Sequence, residues 1–137
     1  MPKNLVPKFI HNSRITNSVK KHINNVMKNP PNIPSHINGN IYNTNNKEQI
    51  SSYDNSKVVA NYSSVSSKVL NKNLYNFKDI MTDFAINFPP KQRIEVFEKA
   101  ANLLETKYYD QMLAYTIVSQ NKTIYESEID AICELVD

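Results

Sequence analysis

Glu126, Glu128 and Asp130 alternate along the sequence, and Lys122-Thr123 stands just ahead of them. Acidic residues at a helix start complement its dipole. The amides there, with a lysine beside them, could hold an anion. The plainer chemistry is capping: Thr123 with Glu126 three positions on fits a capping box, each side chain reaching a backbone N–H of the other. Cys133 is the one thiol. A nucleophilic thiolate needs exposure and a stabilising neighbour, whereas Cys133 falls within an apolar stripe and reads as a small buried hydrophobe. His11, His22 and His36 are scattered, with no i+4 partner and no nearby carboxylate, so they form no metal-ligand pattern.

The counts exclude more. One cysteine allows no internal disulfide framework and no multi-cysteine zinc or iron–sulfur site. One glycine, Gly39, allows no glycine-rich loop to cradle phosphates. No apolar run approaches the ~20 residues that span a bilayer. The 137 residues are enough for about one domain. Apolar residues make up 40% and charged residues 21%, slightly low for a globular chain, because asparagine occurs 20 times.

The net charge of +3 hides a division. Residues 1–47 hold seven Lys/Arg and no acid, while residues 48–137 hold nine Lys/Arg against thirteen Asp/Glu. Residues 1–30 form a basic, acid-free segment. Leu5, Phe9, Ile10, Ile15, Val19, Ile23, Val26 and Met27 recur there at helical spacing, with lysines largely between them. The segment reads as a mitochondrial transit peptide, placing the chain in the matrix. As a plain disordered tail it would leave the chain cytoplasmic. A nucleic-acid arm would carry denser Lys/Arg with interleaved aromatics, and no nucleic-acid partner is expected.

The elements that must position these residues begin after the helix-breaking Asn29-Pro30-Pro31-Asn32-Ile33-Pro34. Asn38-Gly39 between short apolar–polar alternations predicts a β-hairpin with a type I′ turn. Residues 47–56 read as a polar loop, and residues 57–62 as a short strand. About four helices follow. Leu74, Phe77, Ile80, Met81, Phe84, Ala85 and Phe88 form the stripe of the first, which Pro89-Pro90 ends. Ile94, Phe97, Ala100, Ala101 and Leu104 give the second. A third, from Tyr108 to about Ser119, is expected to bury Met112, Tyr115 and Ile117 or Val118. The fourth, Ile124 to Val136, carries Ile129, Ile132, Cys133 and Val136 on one face and shows no closing glycine, the mark expected of an interrupted domain.

The helix Lys91-Gln92-Arg93-Ile94-Glu95-Val96-Phe97-Glu98-Lys99-Ala100-Ala101-Asn102-Leu103-Leu104 resembles the Arg-x-x-x-(Phe/Leu)-x-x-Ala-Ala-(Asp/Glu)-x-Leu helix of the aldehyde dehydrogenases. Val118 to Thr123, Glu128-Ile129-Asp130-Ala131 and Glu134-Leu135-Val136-Asp137 extend the likeness. The Lys-Thr-x4-Glu-x-Asp motif is similar to that of the mitochondrial branch acting on 1-pyrroline-5-carboxylate in proline degradation. The resemblance runs over residues 31–137, the beginning of such an enzyme. It implies an incomplete N-terminal part of an α/β NAD-binding domain: a hairpin, a short strand and about four helices, without a complete Rossmann sheet.

The same resemblance implies what full-length relatives do. They oxidise glutamate γ-semialdehyde to glutamate with NAD, using a cysteine nucleophile and a glutamate base. Those parts lie downstream of the matched region, so Cys133 is not the nucleophile. No catalytic, cofactor-binding or metal residue is assigned. Glu128 matches the glutamate that lies near the substrate's amino group, a charge-assisted contact. Where relatives carry Gly-x-Gly-Lys-Thr, this chain has Ser119-Gln120-Asn121-Lys122-Thr123; Asn121 tolerates the positive φ that glycine would supply, and Ser119 does so less easily. The expectation is a truncated dehydrogenase-like chain, inactive alone and without bound NAD. The alternative is a non-catalytic helical module docking through exposed apolar helix faces on a partner, such as a full-length family member.

Overall fold

A computed structural model describes Pro7, residues 13–44 and residues 46–137. Leu5, Phe9, Ile10 and His11 lie outside the described residues.

The first described helix is α1, Ser13–Lys28. Its apolar residues recur as Ile15, Val19, Ile23 and Val26, one stripe on a 3.6-residue repeat, while Lys20, Lys21, Asn24, Asn25 and Lys28 face outward. Val19 is fully buried and Val26 nearly so. Residues 13–28 thus form an amphipathic helix. Their apolar face is part of the core.

After Pro30-Pro31 come β1 (Asn32–Ile33), β2 (Ser35–Ile37), β3 (Asn40–Tyr42), β4 (Asn46–Ile50) and β5 (Val58–Ser63). β2 and β3 form the expected antiparallel hairpin, with Ser35 opposite Tyr42. Its turn residues Asn38 and Gly39 take φ of 50° and 77°, the positive values a type I′ turn requires. The other sheet has strand order β1-β5-β4. β1 pairs parallel to β5 and β4 antiparallel to it, with a register irregularity between Gln49 and Ile50. The polar loop expected over residues 47–56 is thus partly strand. Every residue of β4 is exposed, so it lacks the apolar alternation that marks a half-buried strand, and its pairing to β5 rests on backbone hydrogen bonds.

Helices follow: α2 (Ser67–Leu74), α3 (Phe77–Asn87), α4 (Pro90–Glu105), α5 (Tyr109–Gln120) and α6 (Ile124–Glu128). A π-helical turn, Ile129–Cys133, then leads into α7, Glu134–Val136. Two expectations are corrected here. The first helix is two, because Asn76 leaves helical geometry at φ −94°, ψ 0° and starts α3 afresh. The last helix is interrupted, because the Glu134 amide bonds back five residues to the Ile129 carbonyl instead of four. Pro90 at the first position of α4 opens that helix as expected. Arg93 braces the α3–α4 corner: its Nε donates to the Phe88 carbonyl at 2.7 Å and its guanidinium lies 5.3 Å from the Phe84 ring centroid.

The core forms around α5. Val19, Tyr109, Leu113, Ala114, Ile117 and Ile132 make one cluster; Val26, Val59 and Val118 make a second, where α1 meets β5. α5 buries residues around most of its circumference, Leu113, Thr116 and both Ile117 and Val118 among them, while Met112 and Tyr115 are only partly buried. The one-sided stripe expected there fails because α1, the sheet and the π turn enclose the helix. In contrast, no residue of α2, α3 or α4 is buried.

Candidate functional site

The residues with chemical potential gather at the C-terminal end of α5 and along α6. α5 ends at Asn121, whose backbone adopts φ 55°, ψ 38°, and the Asn121 amide donates to the Ile117 carbonyl at 2.8 Å. Asparagine tolerates this left-handed geometry better than other residues with a Cβ. Ser119 stays helical instead, its hydroxyl donating to the Tyr115 carbonyl at 2.7 Å. One asparagine therefore makes the turn between α5 and α6.

The last carbonyls of α5 would be unsatisfied without outside donors. Ser51, in the turn after β4, supplies them with Ser52. The Ser51 hydroxyl and the Ser52 amide both donate to the Val118 carbonyl, at 2.9 and 2.8 Å, and the Ser52 hydroxyl donates to the Ser119 carbonyl at 2.6 Å. The Ser51 oxygen also accepts from the amides of Tyr53 and Asp54 at 3.1 and 3.0 Å. Sequence reasoning missed this buried hub, since serine in a polar stretch carries no long-range signal.

Thr123 caps α6 as expected. Its hydroxyl accepts from the Glu126 amide at 3.2 Å, and its own amide donates to Glu126 Oε2 at 2.8 Å. Those hydrogen bonds hold the Glu126 carboxyl below its ordinary pKa. Lys122 forms an ion pair with Asp130, the second residue of the π segment. Capping and pairing thus occupy the two groups that could have held an anion.

Glu128 ends α6 and is only 1% exposed. The Tyr109 hydroxyl, from the first turn of α5, donates to its Oε1 at 2.5 Å. Burial and the adjoining carboxyl push the Tyr109 phenol well above its ordinary pKa. Next to Glu128, the Ser127 hydroxyl is fully buried and has no hydrogen-bond partner. Tyr109 is the second residue that sequence reasoning missed as a site element; as the first residue of α5 it reads as part of an apolar stripe.

The structure leaves the other candidates apart. Cys133 is buried in the π turn. His22 lies on α1 and His36 on β2. Among the described residues, no three His, Cys, Asp or Glu side chains form a group that could hold a metal. No described helix is long and apolar enough to cross a membrane.

No family model matches the chain. The mitochondrial delta-1-pyrroline-5-carboxylate dehydrogenase of Dictyostelium discoideum is 34% identical over 91 residues, 66% of this chain and 16% of that protein. The probable delta-1-pyrroline-5-carboxylate dehydrogenase of Schizosaccharomyces pombe is 33% identical over 112 residues, 79% of this chain and 20% of that protein. The chain therefore spans a fifth or less of the length of these curated relatives. The crystal structure of the Mycobacterium tuberculosis enzyme superposes on all of this chain with a TM-score of 0.85 at 22% identity, over 26% of its own length. A Thermus thermophilus 1-pyrroline-5-carboxylate dehydrogenase covers 99% of this chain with a TM-score of 0.82 at 16% identity.

NAD is bound in a further structure of the Mycobacterium enzyme. Gly39, where the backbone could approach a phosphate, sits in the hairpin turn with nothing within 4 Å of a Cβ placed on it. At the capped starts of α2 and α6, the Val69 and Glu126 amides donate to the Ser66 and Thr123 hydroxyls. By sequence and by fold, the chain is a relative of one portion of the 1-pyrroline-5-carboxylate dehydrogenases, members of the aldehyde dehydrogenase family.

Proposed function

We propose that this chain serves the oxidation of glutamate γ-semialdehyde to glutamate as a non-catalytic part of such a dehydrogenase, with the nucleophile and the NAD site supplied outside its 137 residues. The observation that carries the reading is the 34% identity over 91 residues to a 1-pyrroline-5-carboxylate dehydrogenase of which the chain spans only 16%. The buried state of Cys133 supports it, since a thiol sealed in a helix is a poor nucleophile. The test is an assay of the purified chain with 1-pyrroline-5-carboxylate and NAD. No NADH forms; formation that cysteine alkylation abolishes would overturn the reading.

Within that reading, Glu128 is the substrate-side residue: Tyr109 holds its carboxyl, and in the complete enzyme that carboxyl pairs with the substrate's ammonium group. In an active assembly containing this chain, Glu128→Gln should raise KM for glutamate γ-semialdehyde and leave an aldehyde lacking the amino group unaffected. Equal losses on both substrates would assign Glu128 to structure alone. The mitochondrial matrix is the compartment of this proposal, supported by the mitochondrial relatives and the basic face of α1. Because α1 is built into the core, import would remove residues only ahead of Ser13. N-terminal sequencing of the imported protein checks this, and a mature terminus beyond Lys28 contradicts it.

A second reading, a helical module that binds another protein without serving catalysis, is favoured by one observation: no residue of α2, α3 or α4 is buried. A stable complex devoid of dehydrogenase activity would select it.

A further inference from the structure

We propose that Asn38 is a site of self-modification, independent of any dehydrogenase role. Its side-chain amide is lost as ammonia to leave aspartate or isoaspartate, and the change releases the β2–β3 hairpin from α2.

The reaction needs a backbone nitrogen to reach an asparagine Cγ, and a following glycine permits that close approach. Of the 20 asparagines only Asn38 precedes a glycine. Asn38 and Gly39 are both exposed, and a Cβ placed on Gly39 would meet nothing within 4 Å, so the turn is open to water. Among the described residues none accepts a hydrogen bond from the Gly39 amide. The Asn40 side chain donates to the Asn38 carbonyl at 3.4 Å. A donor there favours the deprotonated peptide nitrogen that must attack.

In the first step the Gly39 nitrogen bonds to Asn38 Cγ and the Cγ–Nδ2 bond breaks. Nδ2 leaves as ammonia, with the proton that the Gly39 amide gave up. Water then opens the cyclic imide at either carbonyl. One opening gives aspartate; the other gives isoaspartate, in which the chain runs through the former side chain. Water is the one co-reactant and nothing is oxidised or reduced. Type I′ and II′ turns share a positive φ at the first central residue, and Gly39 tolerates both, so the peptide plane between the two residues is free to swing toward Cγ.

Asn38 also ties the hairpin to a helix. Its Nδ2 donates to the Asn73 carbonyl at 3.3 Å and to Asn73 Oδ1 at 3.4 Å, at the C-terminal end of α2. The Asn73 side chain is held in that orientation, because its own Nδ2 donates to the Val69 carbonyl at 2.8 Å. Conversion puts a carboxylate oxygen where the donor was, facing two acceptors, and attraction becomes repulsion. α2 buries no residue, and Ile37, Leu70, Leu74 and Phe77 line an open cleft of about 240 Å³ beside the tie. Isoaspartate further adds a backbone atom to a two-residue turn and disturbs the Ile37–Asn40 pairing.

The test is incubation of the purified 137-residue chain at mildly alkaline pH, with peptide mapping by mass spectrometry that separates asparagine, aspartate and isoaspartate. Asn38 should convert at least tenfold faster than any other asparagine, and faster as pH rises. Asn38 intact in the native chain while the same site converts in urea overturns the proposal, as does earlier conversion elsewhere. Release is read by amide hydrogen exchange over the hairpin and α2. Asn38→Gly removes the tie and keeps the turn, whereas Asn38→Asp adds the repulsion. Exchange in α2 should be at least threefold faster in Asn38→Asp than in Asn38→Gly, and in the unmutated chain it should rise with the converted fraction. Equal exchange in the two variants overturns the release.

Discussion

The Tyr109 hydroxyl and Glu128 Oε1 meet at 2.5 Å although 19 residues separate them, and both side chains are buried. This bond joins the start of α5 to the end of α6, the point where α-helical geometry gives way to the π turn.

Replacing Tyr109 with phenylalanine removes that donor and leaves the ring in place. A lost hydrogen bond to a buried polar group costs about 1–3 kcal/mol. Denaturant unfolding of Tyr109→Phe should give a midpoint lowered accordingly with an unchanged m-value. An unchanged midpoint would show that the bond contributes nothing net.

Alkaline pH should act on the same pair. The folded-state pKa of Tyr109 is raised, chiefly by burial and then by Glu128. A raised folded-state value means the stabilisation is fully present below the ordinary tyrosine pKa of about 10 and is lost as pH rises beyond it. In an ultraviolet titration a last step, that of Tyr109, should appear above the ordinary tyrosine range and coincide with unfolding. Tyr109→Phe should remove that last step.

Val19 tests whether α1 belongs to the folded unit. It is fully buried against the α5 cluster. Val19→Ala deletes two methyl groups from the core and should cost about 1.5–3 kcal/mol. Deleting residues 1–28 should abolish the cooperative transition altogether, read by thermal circular dichroism. Full stability without those residues would show that α1 only rests on the surface.

Asn121 holds the turn between α5 and α6 in left-handed geometry. Asn121→Gly should leave stability equal or raise it slightly, whereas Asn121→Ala should lower it by about 1 kcal/mol, because a Cβ without a compensating polar group is disfavoured there. Chemical denaturation of the two variants gives the sign directly.

Much of this was legible in local patterns. Asn38-Gly39 marked the hairpin, Thr123 with Glu126 marked the start of α6, and Pro90 marked the start of α4, because each reports a backbone requirement met within four residues. The apolar stripes of α3 and α4 were equally legible, but periodicity says which face wants cover, and not whether this chain provides it. Four features escaped. β4 pairs through its backbone with side chains all in solvent, so its sequence has no strand period. The π turn after Glu128 arises from one extra residue in a helical turn, which an averaged period smooths over. The Ser51 bond to the Val118 carbonyl and the Tyr109 bond to Glu128 are tertiary, and no local pattern encodes their partners.

α1 also has a bearing on the order of assembly. The Ser18 hydroxyl donates to Asp110 on α5 across 92 positions of sequence, and Val19 lies in the α5 cluster. Closing so long a loop precedes any gain from the contacts it allows. During synthesis α1 leaves the ribosome well before its binding surface exists. The first described helix to be made is therefore among the last to dock, and until α5 emerges its apolar stripe is available to chaperones and to any receptor that reads amphipathic basic helices.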